Sequence, residues 1–391
     1  MKIELHMIQN FAPACLNRDD TNSPKDCIFG GVRRARISSQ CIKRAIRKTF
    51  TQDQLLPAEN LAVRTQRLVG EVVERLVAQG KDPQTAQVVV EAALGGIGLK
   101  AEDGLTQYLL FIGQSSIQEF AKLCTMHWDA LAKSASVAKP EAAAAKKTKD
   151  AKKQSKEAVT AEVRKALEQV LDGSRAADLA LFGRMLADVR NANVDAACQV
   201  AHAISTNKIA MEMDYFTAVD DLKKDTDDAG AGMLGVVGYN SACFYRYAVL
   251  DTVQLVKNLA GDRDLARRTI EAYLRASASA VPTGKQNTFA AHSRPDMMAA
   301  VVRPKGAPLS LANAFVKPAT PNHEVDLTEE SVNKMVGFWN KVTAVYGDDG
   351  CQGHFCGVNP PKDQPKGWTD AGNLDSLIKK VLAAFDKEGK A

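Results

Sequence analysis

The chain has 391 residues, 45% hydrophobic, 25% charged and 6% aromatic, an ordinary globular composition with length for two or three folding units. Its net charge of +5 is unevenly placed: residues 1–50 carry ten Lys or Arg against four Asp or Glu, and the other 341 carry 41 against 42. No apolar run approaches the ~18 residues of a membrane span, Glu4 and His6 interrupt any signal-peptide core, and eight scattered cysteines are too sparse for a disulfide framework, which points to a reducing cytoplasm.

Residues 2–8 alternate, Ile3, Leu5 and Met7 against Lys2, Glu4 and His6, which predicts a strand with one buried and one polar face. A loop rich in Pro, Asn and Asp runs from Asn10 to Asp26. Ser38-Ser39 then offers an N-cap for a helix reaching about Phe50. From about Pro57 to Asp178 the texture is helical. Within it, Ser134 to Lys156 is rich in Ala and Lys but lacks an apolar stripe to dock, and reads as an exposed helix or linker with a solvated charge. Ala242–Leu250 and Met298–Arg303 read as strands, and Asp262–Ala280, 327–346 and 373–388 as helices. This order fits an α+β fold, a ferredoxin-like sheet interrupted between its halves.

Between Arg33 and Lys48 stand seven basic residues and no acidic one. Gln40, Lys43, Arg44, Arg47 and Lys48 share one helical face, while Ile42, Ala45, Ile46 and Thr49 form the face that can pack. Like charges at these spacings destabilise an isolated helix, a cost that a polyanion would offset with counterion release. The backbone amides at Ser38-Ser39 add a ready phosphate site. A face neutralised by acids elsewhere in the chain is the alternative, and the lack of an acid within the segment favours nucleic acid.

Other motifs carry less. Cys351-Gln352-Gly353-His354-Phe355-Cys356 offers three metal ligands without a fourth and reads as ordinary thiols in a glycine-rich loop. Gly230, Gly232 and Gly235 satisfy a dinucleotide pattern, but nothing around them reads as strand-turn-helix. Cys198 and His202 are spaced i, i+4 and read as core or palm residues beside the thumb, for want of a third partner. Neither a metal nor a cofactor is expected.

Several blocks carry a specific resemblance: Cys15-Leu16-Asn17-Arg18-Asp19-Asp20, Lys25 to Gly31, Arg36 to Gln40, Lys43-Arg44-Ala45, Gly183-Arg184-Met185, Ala201 to Ile204, Tyr215 to Asp221, Phe244 to Tyr247 and Leu309 to Phe315. In these the chain resembles the CasC family, the backbone subunit of the type I-E CRISPR surveillance complex Cascade. The resemblance implies an RRM-like palm (1–56, 179–205 and 241–391), helical fingers (57–178) and a β-hairpin thumb (206–240). It implies a non-catalytic protein whose copies polymerise along CRISPR RNA and periodically displace a nucleotide, displaying the rest for a target DNA strand. The other implied partners are the large and small subunits, the 5′-end cap subunit and the repeat-processing endoribonuclease.

By that resemblance Arg18, Lys25, Ser38, Gln40, Lys43, Arg44, Arg47 and Arg184 contact RNA. Each suits a phosphate or 2′-hydroxyl without reading a base. Met185 is the apolar wedge against the displaced nucleotide, with Tyr215, Phe216 and Thr217 in the thumb; its own surroundings in sequence favour core at a helix end, and only the Gly183-Arg184-Met185 match reverses that. Asp220, Asp221, Asp225, Asp227 and Asp228 near four glycines mark a thumb tip that orders only against a partner. Related type III backbone subunits cleave target RNA with a loop aspartate and a metal, so Asp19 and Asp20 are the rival, catalytic reading. Their alternative role is to cap a turn or to salt-bridge to a neighbouring subunit.

Overall fold

The alternating N-terminal segment forms β1 (Lys2–Ala14), longer than the 2–8 of the sequence expectation. Its pairing with β11 (Met233–Asp251) and β12 (Met297–Arg303) continues on both sides, so it is an interior strand. The expected polar face is buried: Glu4 and His6 are 0% exposed, as deep as Ile3 and Leu5 at 1%. Polar side chains survive there because each is bonded. Glu4 pairs with Arg303 and accepts the Leu309 N–H at 3.1 Å, and His6 Nδ1 lies 2.9 Å from the Tyr245 hydroxyl. Burial works against the charge on Glu4, but the His6 imidazole 3.7 Å away and the hydrogen bond from Arg303 outweigh it and hold the carboxyl below its ordinary value.

The computed structural model describes residues 1–134, 161–170, 176–186, 189, 192–218, 221–222 and 233–389. The Ala/Lys-rich stretch beyond Ser134, Asp220, Asp225, Asp227, Asp228, Gly230 and Gly232 lie outside them. The chain is α+β and divides into two compact units, Met1–Leu55 with Cys198–Thr252 and Ile270–Ala391, and Leu56–Ala197 with Val253–Thr269. Residues 179–197, grouped with the palm in the expectation, therefore fall in the second unit.

Elements are numbered in chain order. The first unit holds a ten-stranded sheet containing β1, β2 (Asp26–Phe29), β3 (Val32–Ile37), β8 (Cys198–Val200), β9 (Ala203–Ser205), β10 (Glu212–Ala218), β11, β12, β13 (Gln352–Gly357) and β14 (Trp368–Asp370). Its main path runs β14-β13-β12-β1-β11-β9-β3-β2, antiparallel except for β13 and β14, with β8 and β10 also paired to β11. The Cys351–Cys356 segment is strand β13 inside this sheet, not a loop, and both thiols are buried. The C-terminal part of the chain supplies α10 (Leu327–Tyr346), capped by Asp326 in a capping box with Glu329, and α11 (Leu374–Glu388). Val332, Met335 and Trp339 of α10 share a core with Ile8, Tyr245 and Phe315. That cover is what buries the second face of β1.

The second unit holds α2 (Leu68–Val77), α3 (Pro83–Gly96), α4 (Gln114–Met126), α5 (Ala161–Val170) and α6 (Ala177–Phe182). Two short sheets accompany them, β4 (Ala62–Thr65) with β7 (Leu110–Gly113) and β5 (Ala101–Glu102) with β6 (Leu105–Thr106). Val72, Leu76, Val90, Leu94, Phe120 and Leu167, all 0% exposed, form its core. Between β11 and β12 run α7 (Thr252–Asn258), α8 (Arg263–Ser279) and α9 (Gln286–Phe289).

Candidate nucleic-acid interface

The basic helix forms as its spacing predicts. Helix α1 (Ser39–Gln52) buries Ile42, Ala45, Ile46, Thr49 and Phe50, while Gln40, Arg44 and Lys48 are exposed and Lys43 and Arg47 half-buried. No acid stands in its first turn and no base in its last. Arg44 reaches the Thr283 hydroxyl at 3.5 Å.

Ser38 is the N-cap in extended backbone, its hydroxyl accepting the Cys41 N–H at 3.3 Å. Its own N–H donates to Asn17 Oδ1 at 2.8 Å, and the residue is 7% exposed. The amides of Ser38 and Cys41 are therefore committed within the protein. Ser38 fixes where the helix begins and ties it to the preceding loop.

That loop is stitched by its own polar groups. Asn17 C=O accepts the Lys25 N–H at 2.8 Å, Arg18 bridges Pro24, and the Arg18 guanidinium donates to Asn22 Oδ1. Asp19 Oδ1 accepts the Thr21 N–H at 2.9 Å, the Thr21 hydroxyl at 2.8 Å and the Ser23 N–H at 2.9 Å. The Thr21 hydroxyl first, then the Ser23 amide, hold its carboxyl below the ordinary range. This is the turn-capping role. Asp20 stands exposed beside it, and both line an open cleft of about 470 Å³ with Arg18, Asn22 and Gly284.

The thiols report the local field. Burial raises Cys41, while Arg44 and Lys25 pull against it; burial raises Cys15, while Arg18 and Lys285 pull against it. Lys25 and Arg44 thus act on one point, and Lys285 acts with Arg18 on another, although the sequence singled out nothing there. The adjacent strand behaves differently. Arg34 is 0% exposed and donates to the carbonyls of Phe29, Ser205, Thr206 and Phe315 at 3.3, 3.2, 2.6 and 2.6 Å. Arg33 pairs with Asp26. Arg36 Nη1 donates to His202 Nδ1 at 3.2 Å.

His202 is an exposed residue between β8 and β9, not a core residue, and Cys198 is buried with its thiol 3.2 Å from the Tyr273 hydroxyl. The i, i+4 spacing meant nothing because the segment is not helical. Burial pushes the Cys198 thiol up to about 12.

In the second unit, Gly183 ends α6 at φ +73°, where a Cβ would sit 2.7 Å from the Val194 carbonyl oxygen. Arg184, expected on RNA, is 8% exposed; its guanidinium donates to the carbonyls of Ala192 and Phe111 at 3.0 and 2.9 Å. The next residue, Met185, is 87% exposed. The triplet works as turn, hook and projecting side chain.

In the first unit, β10 pairs with Met233–Tyr239 of β11 as a hairpin, and every β10 residue is exposed. Tyr215 is 62% and Phe216 38% exposed, with Thr217 next to them. Phe216 lies over Gly235, where a Cβ would come within 2.3 Å of the ring. Gly235 is thus a strand residue that admits an aromatic across the pair, not part of a dinucleotide loop.

These features define an α+β protein with a one-sided cationic helix face and an exposed two-stranded arm. The chain belongs to the CT1975-like protein family, whose model matches residues 3–380. No curated protein sequence matches it. Among solved structures it is similar to a chain of a "CRISPR RNA-guided surveillance complex, pre-nicking", at 31% identity and TM-score 0.81, with 98% of this chain and 100% of that one covered. A chain of a second CRISPR RNA-guided surveillance complex is 26% identical with TM-score 0.72, over 98% and 100% of the two chains. Among the described residues no helix is long and apolar enough to cross a membrane.

Proposed function

We propose that this protein is a non-catalytic backbone subunit of a CRISPR RNA-guided surveillance complex, of the type I-E Cascade kind. Copies of it line up on a CRISPR RNA in the cytoplasm and present the guide to a target DNA strand, alongside the large, small, cap and repeat-processing subunits. The observation that carries the reading is the end-to-end likeness to a surveillance-complex chain at 31% identity. In this reading the sheet with α1 is an RRM-like palm, residues 57–178 the fingers and the hairpin the thumb. Arg18, Lys25, Gln40, Lys43, Arg44 and Arg47 hold phosphates and ribose hydroxyls, and Ser38 shapes the helix start.

A backbone grip leaves discrimination to base pairing, so the protein need not read sequence. Met185 supplies the apolar side chain that a displaced nucleotide requires, and Tyr215, Phe216 and Thr217 belong to the thumb. Arg184 serves by holding Met185 out. Asp19, its Oδ1 already accepting three hydrogen bonds, supports the non-catalytic side. The test is co-purification: the reading expects RNA of uniform length in a multi-subunit particle, with filament length following RNA length. A protein that binds RNA only as a monomer with a fixed footprint, or that cuts guide-complementary RNA in Mg²⁺ and loses this with Asp20→Ala, overturns it.

A further inference from the structure

The exposed His202 belongs to no feature described so far. It stands with two cations that come from different segments: Arg36 of β3, which bonds it, and Lys25 in the loop before β2, whose carbonyl accepts the Arg36 N–H at 2.9 Å. Arg36 is held on its other side, its Nε donating to the Asp26 carbonyl at 3.1 Å. A guanidinium only donates, so at 3.2 Å from Arg36 Nη1 the His202 Nδ1 must be the acceptor. The ring proton of the neutral imidazole therefore sits on Nε2.

We propose that Lys25, Arg36 and His202 form one phosphodiester-binding pocket of the RNA track, and that His202 takes up a proton when an RNA phosphate docks there. This rests on the RNA-binding reading and deepens it. In the free protein, burial first and then the fields of Arg36 and Lys25 hold the imidazole below its ordinary value. A docked phosphate cancels those fields and accepts from Nε2–H. The proton comes from solvent and goes to Nδ1, which can then no longer accept from Arg36. The freed Nη1–H turns to the phosphate, so protonation and grip reinforce each other.

The other charges nearby are engaged elsewhere. The Asp26 carboxylate pairs with Arg33, and the Cys27 thiol, on which the fields of Arg36 and Asp26 fall, is raised by burial. Neither neutralises the trio.

The experiment follows the imidazole Cε1–H of the full-length protein by NMR over pH about 5.5 to 7.5, free and with a short single-stranded RNA. The His202 signal is assigned by its loss in His202→Gln, and RNA affinity is measured over the same range. The expected result is an upward move of the midpoint by about one unit with RNA, and an affinity gain toward low pH up to about tenfold larger in the wild type than in His202→Gln. Arg36→Gln should raise the free midpoint and shrink the RNA-induced move. A midpoint unchanged by RNA, a shift produced equally by inorganic phosphate alone, or identical pH profiles for wild type and His202→Gln would overturn the pocket while leaving RNA binding intact. Wild-type protein that binds no RNA at pH about 7.5 would overturn both it and the functional reading.

Discussion

Strand β3 and helix α1 are neighbours in sequence and both basic, yet the protein uses most of their charges in opposite ways. In β3 two of the three cations are bound within the fold, Arg34 buried among carbonyls and Arg33 on Asp26, and Arg36 is the exception. In α1, Arg44 and Lys48 face solvent with the apolar face packed beneath them. The comparison teaches that a run of basic residues measures the electrostatic footprint only after its internally committed members are removed. Arg suits the internal task because its planar fork satisfies several oxygens at once.

The largest effect should come from Arg34→Met, which leaves buried carbonyls without donors. Urea unfolding should show a loss of about 3 kcal/mol, while RNA affinity of the folded fraction keeps its salt dependence. A shallower salt slope with unchanged stability would break the comparison, because Arg34 would then be an RNA contact. Next is Arg44→Glu. RNA binding should weaken about tenfold for unrelated sequences alike, with the salt slope reduced by about 0.7 for a lost single-strand contact. Its unfolding free energy should stay within about 0.5 kcal/mol. Loss confined to particular guide sequences would contradict a backbone grip.

Ser38→Ala tests the boundary between the two regions. Removing the cap should lower stability by about 1 kcal/mol with affinity nearly unchanged. A large affinity loss at intact stability would move Ser38 to the RNA side. Smallest is Lys48→Ala at the far end of the exposed face. We expect a change of about twofold in affinity at low salt that vanishes at high salt; an effect as large as that of Arg44→Glu would extend the track along the whole helix.

Much of this was legible before any coordinates. The α1 faces, the N-cap at Ser38 and the buried stripe Leu265, Thr269, Tyr273 and Ala276 of α8 all follow from spacing. Spacing failed where the deciding partner was distant in sequence. Alternation showed that β1 has two faces, but not that α10, more than 300 residues on, would cover the polar one. It was the resemblance, not spacing, that put Arg184 on RNA, and nothing local reveals the carbonyls of Ala192 and Phe111 around it. For His202 the choice between core and palm surface stayed open because its exposure depends on β8 and β9 being strands rather than a helix turn. Lys285 lay in a segment with no pattern to mark it.

One strand has a mechanical consequence. The nineteen residues of β11 run without interruption from the exposed hairpin into the middle of the sheet, where Tyr245 and Tyr247 pack on His6. Extended, such a strand spans about 60 Å. The hairpin is therefore the free end of a beam clamped in the hydrophobic core, and its base lacks the hinge that a loop connection would provide. Its stand-off distance is set by the pairing register of β11 with β1, so a one-residue slip in the core would displace the arm by a full residue and turn its faces over.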